Sequence, residues 1–199
     1  WCTQWKTHIN QQKSQHTTFT LRRGTCPPVF FNDIPIPQTD TIQYLGMTLD
    51  RRMTWKHHIR KKRLTMTHRL KLLSHLLTKS SKLQLKHRLN IYNYLLKPIW
   101  AYGSQIYGSA KRTNIDTIQR FQSKTLRLIT HAPPYVSNHT LHTDLNIPTV
   151  NNQIKQYYTR FHDRLHGHHN PLIHLISTSH FTDNTPRRLR RNWMRDLLN

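Results

Sequence analysis

Apolar positions along this chain follow two different periods. Up to about residue 50 they come in short runs: Thr17 to Leu21, Val29 to Phe31, Ile34 to Ile36, and Ile42, Tyr44 and Met47 to Leu49. β-branched and aromatic residues fill these runs, and Gly, Pro, Asn and Asp separate them, which predicts short strands joined by turns. Arg22 to Pro28 is one such turn, broken by Gly24 and Pro27-Pro28, and Asn32-Asp33 is another. Pro35 and Pro37 lack backbone donors, so residues 34–37 belong on a sheet edge or outside the sheet. Gly46 interrupts the last run and predicts a bulge or the close approach of another backbone. Ahead of the strands, Trp1, Trp5 and Ile9 are spaced by four and predict the last turns of a helix.

From about residue 54 the period becomes helical. Thr54 is a candidate cap and Trp55 the first apolar residue of the following helix, with no Glu three residues on to complete a capping box. Leu64, Leu70, Leu73 and Leu77, with Met66, Leu72 and Leu76 nearby, form one broad apolar stripe. Lys56, Arg60, Lys61, Lys62, Arg63, Arg69 and Lys71 occupy the other face. Ser80 or Ser81 caps a second helix through Leu85, Leu89, Tyr92 and Leu96, which Pro98 should kink or end because it removes a donor and clashes one turn back. The aromatic stretch from Ile99 to Tyr107 starts a new helix or crosses the bundle. Asn114 is placed as the cap of a third helix with Asp116 in its first turn and Ile115, Ile118, Gln122 and Ile129 on one face, supported by Phe121 and Leu126. Beyond Pro133-Pro134, a short helix is expected over Asn138 to Leu145. A longer one opens at Pro148-Thr149 and runs through Ile154, Tyr157, Tyr158, Phe161 and Leu165. The predicted class is mainly α with a small β remnant: a strand-bearing part over residues 1–50, a helical bundle over 51–131, and connector helices with a basic tail over 132–199.

Charge changes this picture. The chain has 199 residues with 31 Lys and Arg against 8 acids, a net +23, and every acid is Asp. Self-repulsion of that size calls for a polyanionic partner. The plainer reading of the cations, a solvated surface, fits badly because such surfaces mix both signs and no Glu is present for i,i+4 pairing. A basic helix lying along a duplex contacts phosphates and reads shape rather than sequence. Arg187, Arg188, Arg190 and Arg191 add a basic tail suited to nonspecific nucleic-acid contact. The hydrophobic fraction of 35% predicts a modest core. Cys2 and Cys26 have neither metal nor disulfide-framework spacing. His166, His168, His169 and His174 cluster around Gly167 and Pro171, but without the regular paired-ligand spacing of a zinc site, and no metal is assigned to them. No apolar run approaches the ~20 residues that span a bilayer, so no membrane partner is expected.

Several stretches together resemble one family. Tyr44-Leu45-Gly46, Asp50, Thr54-Trp55 and His58-Ile59 are similar to the junction of palm and thumb in reverse transcriptases of jockey-like non-LTR retrotransposons. In the same order follow Leu96 to Gly103, Ile118 to Lys124 and Asp144 to Val150, with Trp5, Ile9-Asn10 and Lys13-Ser14 upstream. The resemblance implies the end of a palm in residues 1–50 and a thumb in 51–131. The implied function is that of an RNA-directed DNA polymerase gripping an RNA or DNA template–primer duplex. It implies that Tyr44, Leu45 and Gly46 support the primer end, and that Lys13 neutralises or protonates the pyrophosphate leaving group. The family's paired aspartates, which hold Mg²⁺ in the full-length polymerase, have no counterpart here: Asp33, Asp40 and Asp50 make no such pair. The chain is therefore expected to be a piece of a longer polypeptide whose palm and fingers lie upstream. By itself it should bind no Mg²⁺ and no small-molecule substrate, and it should not polymerise. By the same resemblance it works in the nucleus after synthesis in the cytoplasm. The alternative is a stand-alone nucleic-acid-binding protein derived from such an element.

Overall fold

The computed structural model describes residues 2, 4–24 and 26–173. Within these, antiparallel hairpins precede a helical bundle, which agrees with a mainly helical chain carrying a small β part. Strands β1 (Val29–Phe31) and β2 (Ile34–Ile36) pair around Asn32 and Asp33, both at positive φ, the turn expected between them. Both strands are free edges of a two-stranded sheet, which is why Pro35 is tolerated. Strands β3 (Thr41–Tyr44) and β4 (Met47–Asp50) form the second hairpin, in the register Tyr44 to Met47.

Three expectations for this half fail. The spacing of Trp5 and Ile9 does not make a helix: turns lead into a single 3₁₀ turn at Gln11–Lys13, and both side chains are exposed. Thr17 to Leu21 is not a strand; an isolated bridge from His16 to Gln38 and the Thr20 N–H donating to Arg51 O tie it down. Gly46 is not a bulge. It sits with Leu45 at the tip of the hairpin, both at positive φ, as a tight turn requires.

The helices are α1 (Lys56–Leu72), α2 (Ser74–Leu77), α3 (Leu85–Ile91), α4 (Lys97–Ala101), α5 (Ser104–Tyr107), α6 (Arg112–Thr130), α7 (Asn138–Asp144) and α8 (Val150–His166). A π turn, Tyr92–Leu96, joins α3 to α4. Pro98 therefore neither ends the helix nor breaks it sharply, because the wider turn just ahead of it absorbs the misfit of the ring. Thr149 and Ser137 cap α8 and α7 through their hydroxyls, and α6 ends at His131 in the left-handed region, ahead of the proline pair.

Trp100, Tyr92, Tyr107, Phe121 and Met66 are the largest fully buried side chains. They meet Ile115, Ile118, Leu126 and Ile129 of α6 and Ile154 of α8. The α6 face is the one its spacing predicted, but the helix begins earlier, at Arg112. Asn114 is not its cap: its amide donates to Thr54 O and ties the start of α6 to the start of α1. The stripe on α1 is also different from the prediction. Leu64 and Leu72 are exposed, whereas Ile59 and Met66 face the core with Leu70 and Leu73. At ~100° per residue Leu64 lies roughly opposite Met66. The inner face includes Lys62 and Arg63, so an apolar period reads it poorly.

The recognised motifs interlock. The Tyr102 hydroxyl donates to Leu45 O at 2.7 Å. Gly103, at φ +73, packs so closely on Met47 that a Cβ there would lie 2.9 Å from its sulfur. A Gly103→Ala change combines left-handed strain with overpacking and should destabilise by about 2 kcal/mol. A denaturation midpoint that falls at constant slope would show it, and an unmoved midpoint would refute it.

Candidate nucleic-acid interface

The joint between hairpin and bundle is held by Asp50. This aspartate is buried, and its two carboxylate oxygens accept the backbone N–H groups of Thr54 and Trp55 at 2.9 and 2.8 Å. Trp55, at φ +62, is the residue flanking α1, and Thr54 contributes a longer contact, its hydroxyl accepting Lys56 N–H at 3.3 Å. Asp50 thus fixes the two residues that lead into α1, while the helix's own first N–H is met by the longer Thr54 contact. Sequence spacing hid this because the carboxylate reaches forward from a strand, outside any capping-box register.

His58 closes the joint from the other side. Its Nδ1 accepts the Thr48 N–H at 3.1 Å, which requires the neutral imidazole with the proton on Nε2. The ring lies between Trp55 and Tyr107, with centroid distances of 6.1 and 5.2 Å. Burial first, then the nearby charges of Lys62 and Lys61, pull its pKa from 6.5 down to about 4. The Thr54-Trp55 and His58-Ile59 elements are therefore structural: they bolt the hairpin to the helix.

The hairpin tip stands out from this anchor. Tyr44 is 62% and Leu45 71% exposed. Tyr102, itself largely exposed, holds the tip by its hydroxyl while its ring carries the Lys62 ammonium at 5.0 Å from the centroid. Lys62 and Arg63 are half-buried, not part of an outer basic face as predicted. Arg63 instead stacks on Phe121 with its guanidinium carbon 4.8 Å from the ring centroid, and bonds to Thr67. Burial lowers the pKa of both cations. Lys56, Arg60, Lys61, Arg69 and Lys71 are exposed and spread over the outward half of α1 together with Leu64 and Leu72, rather than along one stripe.

Lys13 is exposed at the end of the 3₁₀ turn, with its backbone N–H donating to Asn10. Arg187, Arg188, Arg190, Arg191 and His174 lie outside the described residues. Asp33 sits at the tip of the first hairpin, and Asp50 is committed to backbone donors. Among the described residues no three His, Cys or Asp side chains come together to hold a metal ion. Nor is any described helix long and apolar enough to cross a membrane.

Two glutamines organise the C-terminal half; the sequence pattern places only Gln122 on the inner face and assigns neither a partner. Gln119 of α6 accepts the Val150 N–H at 2.8 Å and contacts His142 at 3.0 Å, while Gln122 donates to Pro148 O at 3.1 Å. His142 Nδ1 in turn meets Ile147 O at 2.8 Å. The stretches Ile118 to Lys124 and Asp144 to Val150 are thus two sides of one corner. Polar residues inside a helical apolar face were the available signal.

This arrangement is a set of paired motifs around a basic helix, and the proteins to which the chain as a whole is similar are RNA-directed DNA polymerases of mobile elements. The chain is 42% identical over 200 residues to a probable RNA-directed DNA polymerase from transposon X-element of Drosophila melanogaster, a match covering all of this chain and 21% of the relative. It is 36% identical over 174 residues to the corresponding protein of transposon BS from the same fly, covering 86% of this chain and 19% of the relative. To the RNA-directed DNA polymerase from mobile element jockey it is 33% identical over 204 residues, with 100% and 22% covered. The chain shares its ancestry with a segment of the polymerases of jockey-like non-LTR retrotransposons, and it spans about one fifth of their length. No protein-family model matches the chain. No solved structure matches it.

Proposed function

We propose that this chain is the duplex-gripping part of a retrotransposon RNA-directed DNA polymerase. The observation that carries the reading is Tyr102, which joins the exposed Tyr44–Leu45 tip to Lys62 and so to the cation-bearing helix. In this reading the tip supports the primer end. Lys56, Arg60, Lys61, Arg69 and Lys71 take phosphates, and the interlocked motifs keep tip and helix in fixed relation. Residues 1–50 then act as the end of a palm and 51–131 as a thumb. Lys13 is proposed to face the leaving group only in the whole polymerase, where Mg²⁺ is held by carboxylates that this chain lacks.

The test is binding of the chain to an RNA-template, DNA-primer duplex across a salt series. If about six phosphates are contacted, affinity falls about a thousandfold between ~50 and ~200 mM salt. Replacing Arg60 and Lys61 together by Gln should reduce the log–log slope by about 2. A flat salt response, or a slope that ignores the double substitution, would rule out this role. Absence of Mg²⁺-dependent primer extension by the chain is also expected, and extension by it would overturn the assignment of catalysis to residues elsewhere.

A further inference from the structure

A second concave surface lies away from the hairpin tip. It is a cleft between the π-turn helix and the corner where α7 meets α8, in two halves of about 540 and 660 Å³. Lys97, Asn146 and Tyr157 line both halves, so the two adjoin. Among the described residues no acidic side chain lines either half. Lys97 lies half-buried in its wall, and its ammonium donates to the Gln153 amide oxygen at 2.7 Å rather than to a carboxylate. Burial lowers its pKa. Arg160 and His139 stand in the larger half. Tyr94 stands at the smaller half with 75% of its surface exposed.

A groove of cations without counter-charge, with aromatic rings displayed beside it, is the composition that receives an unpaired strand: phosphates run along the cations and bases stack on the rings. A duplex offers phosphates only, because its bases are already stacked, so the exposed ring of Tyr94 would be idle against it. Asn146 adds an amide within the cleft that can meet the edge of an unpaired base. We propose that this cleft is a separate binding site for single-stranded RNA or DNA, with phosphates on Lys97 and Arg160 and a base on Tyr94. The proposal rests on the reading that the partner is nucleic acid, but not on the duplex grip of α1.

The experiment measures affinity of the chain for an unstructured oligonucleotide of about 10 nucleotides and, in parallel, for the template–primer duplex. Tyr94→Ala should weaken single-strand binding about tenfold, Tyr94→Phe should restore it, and Arg160→Gln should weaken it severalfold with a smaller salt slope. Both substituted side chains are exposed, and an unchanged thermal midpoint verifies folding. Duplex affinity should change less than about twofold for Tyr94→Ala. Salt-dependent duplex binding combined with single-strand binding that ignores both substitutions would sink the cleft site and leave the duplex reading standing. Equal losses for both ligands would also sink it. Loss confined to duplex in Arg60→Gln/Lys61→Gln, with single-strand binding kept, would support two separate sites.

Discussion

An Asp50→Ala protein should be less stable by about 4 kcal/mol, the largest single effect expected outside the apolar core. The carboxylate accepts N–H groups from two successive residues where the chain leaves the strand and enters α1. Hydrogen bonds to an ionised acceptor contribute about 1.5–3 kcal/mol each, and the Trp55 N–H left behind is buried. Asp50→Asn should lose about half as much, because one amide oxygen still accepts while the NH₂ group faces a donor. Denaturant unfolding of the three proteins measures this. A loss below about 1 kcal/mol for the Ala variant would show that water or another group replaces the carboxylate. Since Asp50 sets how the hairpin meets α1, the same variant should bind the template–primer duplex more weakly than its global stability alone would explain.

Stability should also fall as pH drops from 6.5 towards 4, and His58 should account for up to about 3 kcal/mol of the fall. The folded protein holds this ring neutral, with its pKa pulled from 6.5 to about 4. The unfolded chain takes up the proton first, so acid favours unfolding throughout that window. The contribution is fully present above pH 6.5 and is lost as pH descends through about 4. The physical event is loss of an acceptor: a protonated Nδ1 cannot receive the Thr48 N–H. Other histidines titrate nearby, so the measurement is a difference. His58→Phe should be less stable than the parent by about 2 kcal/mol near neutral pH, because it leaves the Thr48 N–H unpaired. The gap should close as the parent loses stability in acid. A gap that stays constant from pH 7 to about 4.5 would contradict the ring's role.

Both residues belong to stretches by which the chain resembles its relatives, and in both cases the structural reason is local. Asp50 and His58 grip opposite sides of the strand-to-helix joint. Tyr102 and Gly103 then press against the hairpin, and Gln119 and Gln122 fasten the corner before α8. Of the residues expected to meet nucleic acid, the hairpin tip is exposed as required, whereas Lys62 and Arg63 turn inward onto aromatic rings.

The sequence by itself determined the order and kind of elements wherever local chemistry is decisive. Asn32-Asp33 accepts the positive φ of a hairpin. Pro148-Thr149 opens α8, and the 3.6-residue period of α6 matches its buried face. It also determined the relationship to retrotransposon polymerases, because ordered motifs survive without knowledge of their contacts. Only the tertiary structure decided which side of α1 faces inward. A helix so rich in Lys and Arg has no clean apolar arc, and aromatic partners distant in sequence can bury a cation's stem and ring-facing charge. The tertiary structure likewise decided that Asp50 holds the entry to α1, that Gly46 turns a hairpin, and that Pro98 is carried by a π turn. Each of those outcomes is a matter of hydrogen bonds and backbone dihedrals, and an apolar period records neither.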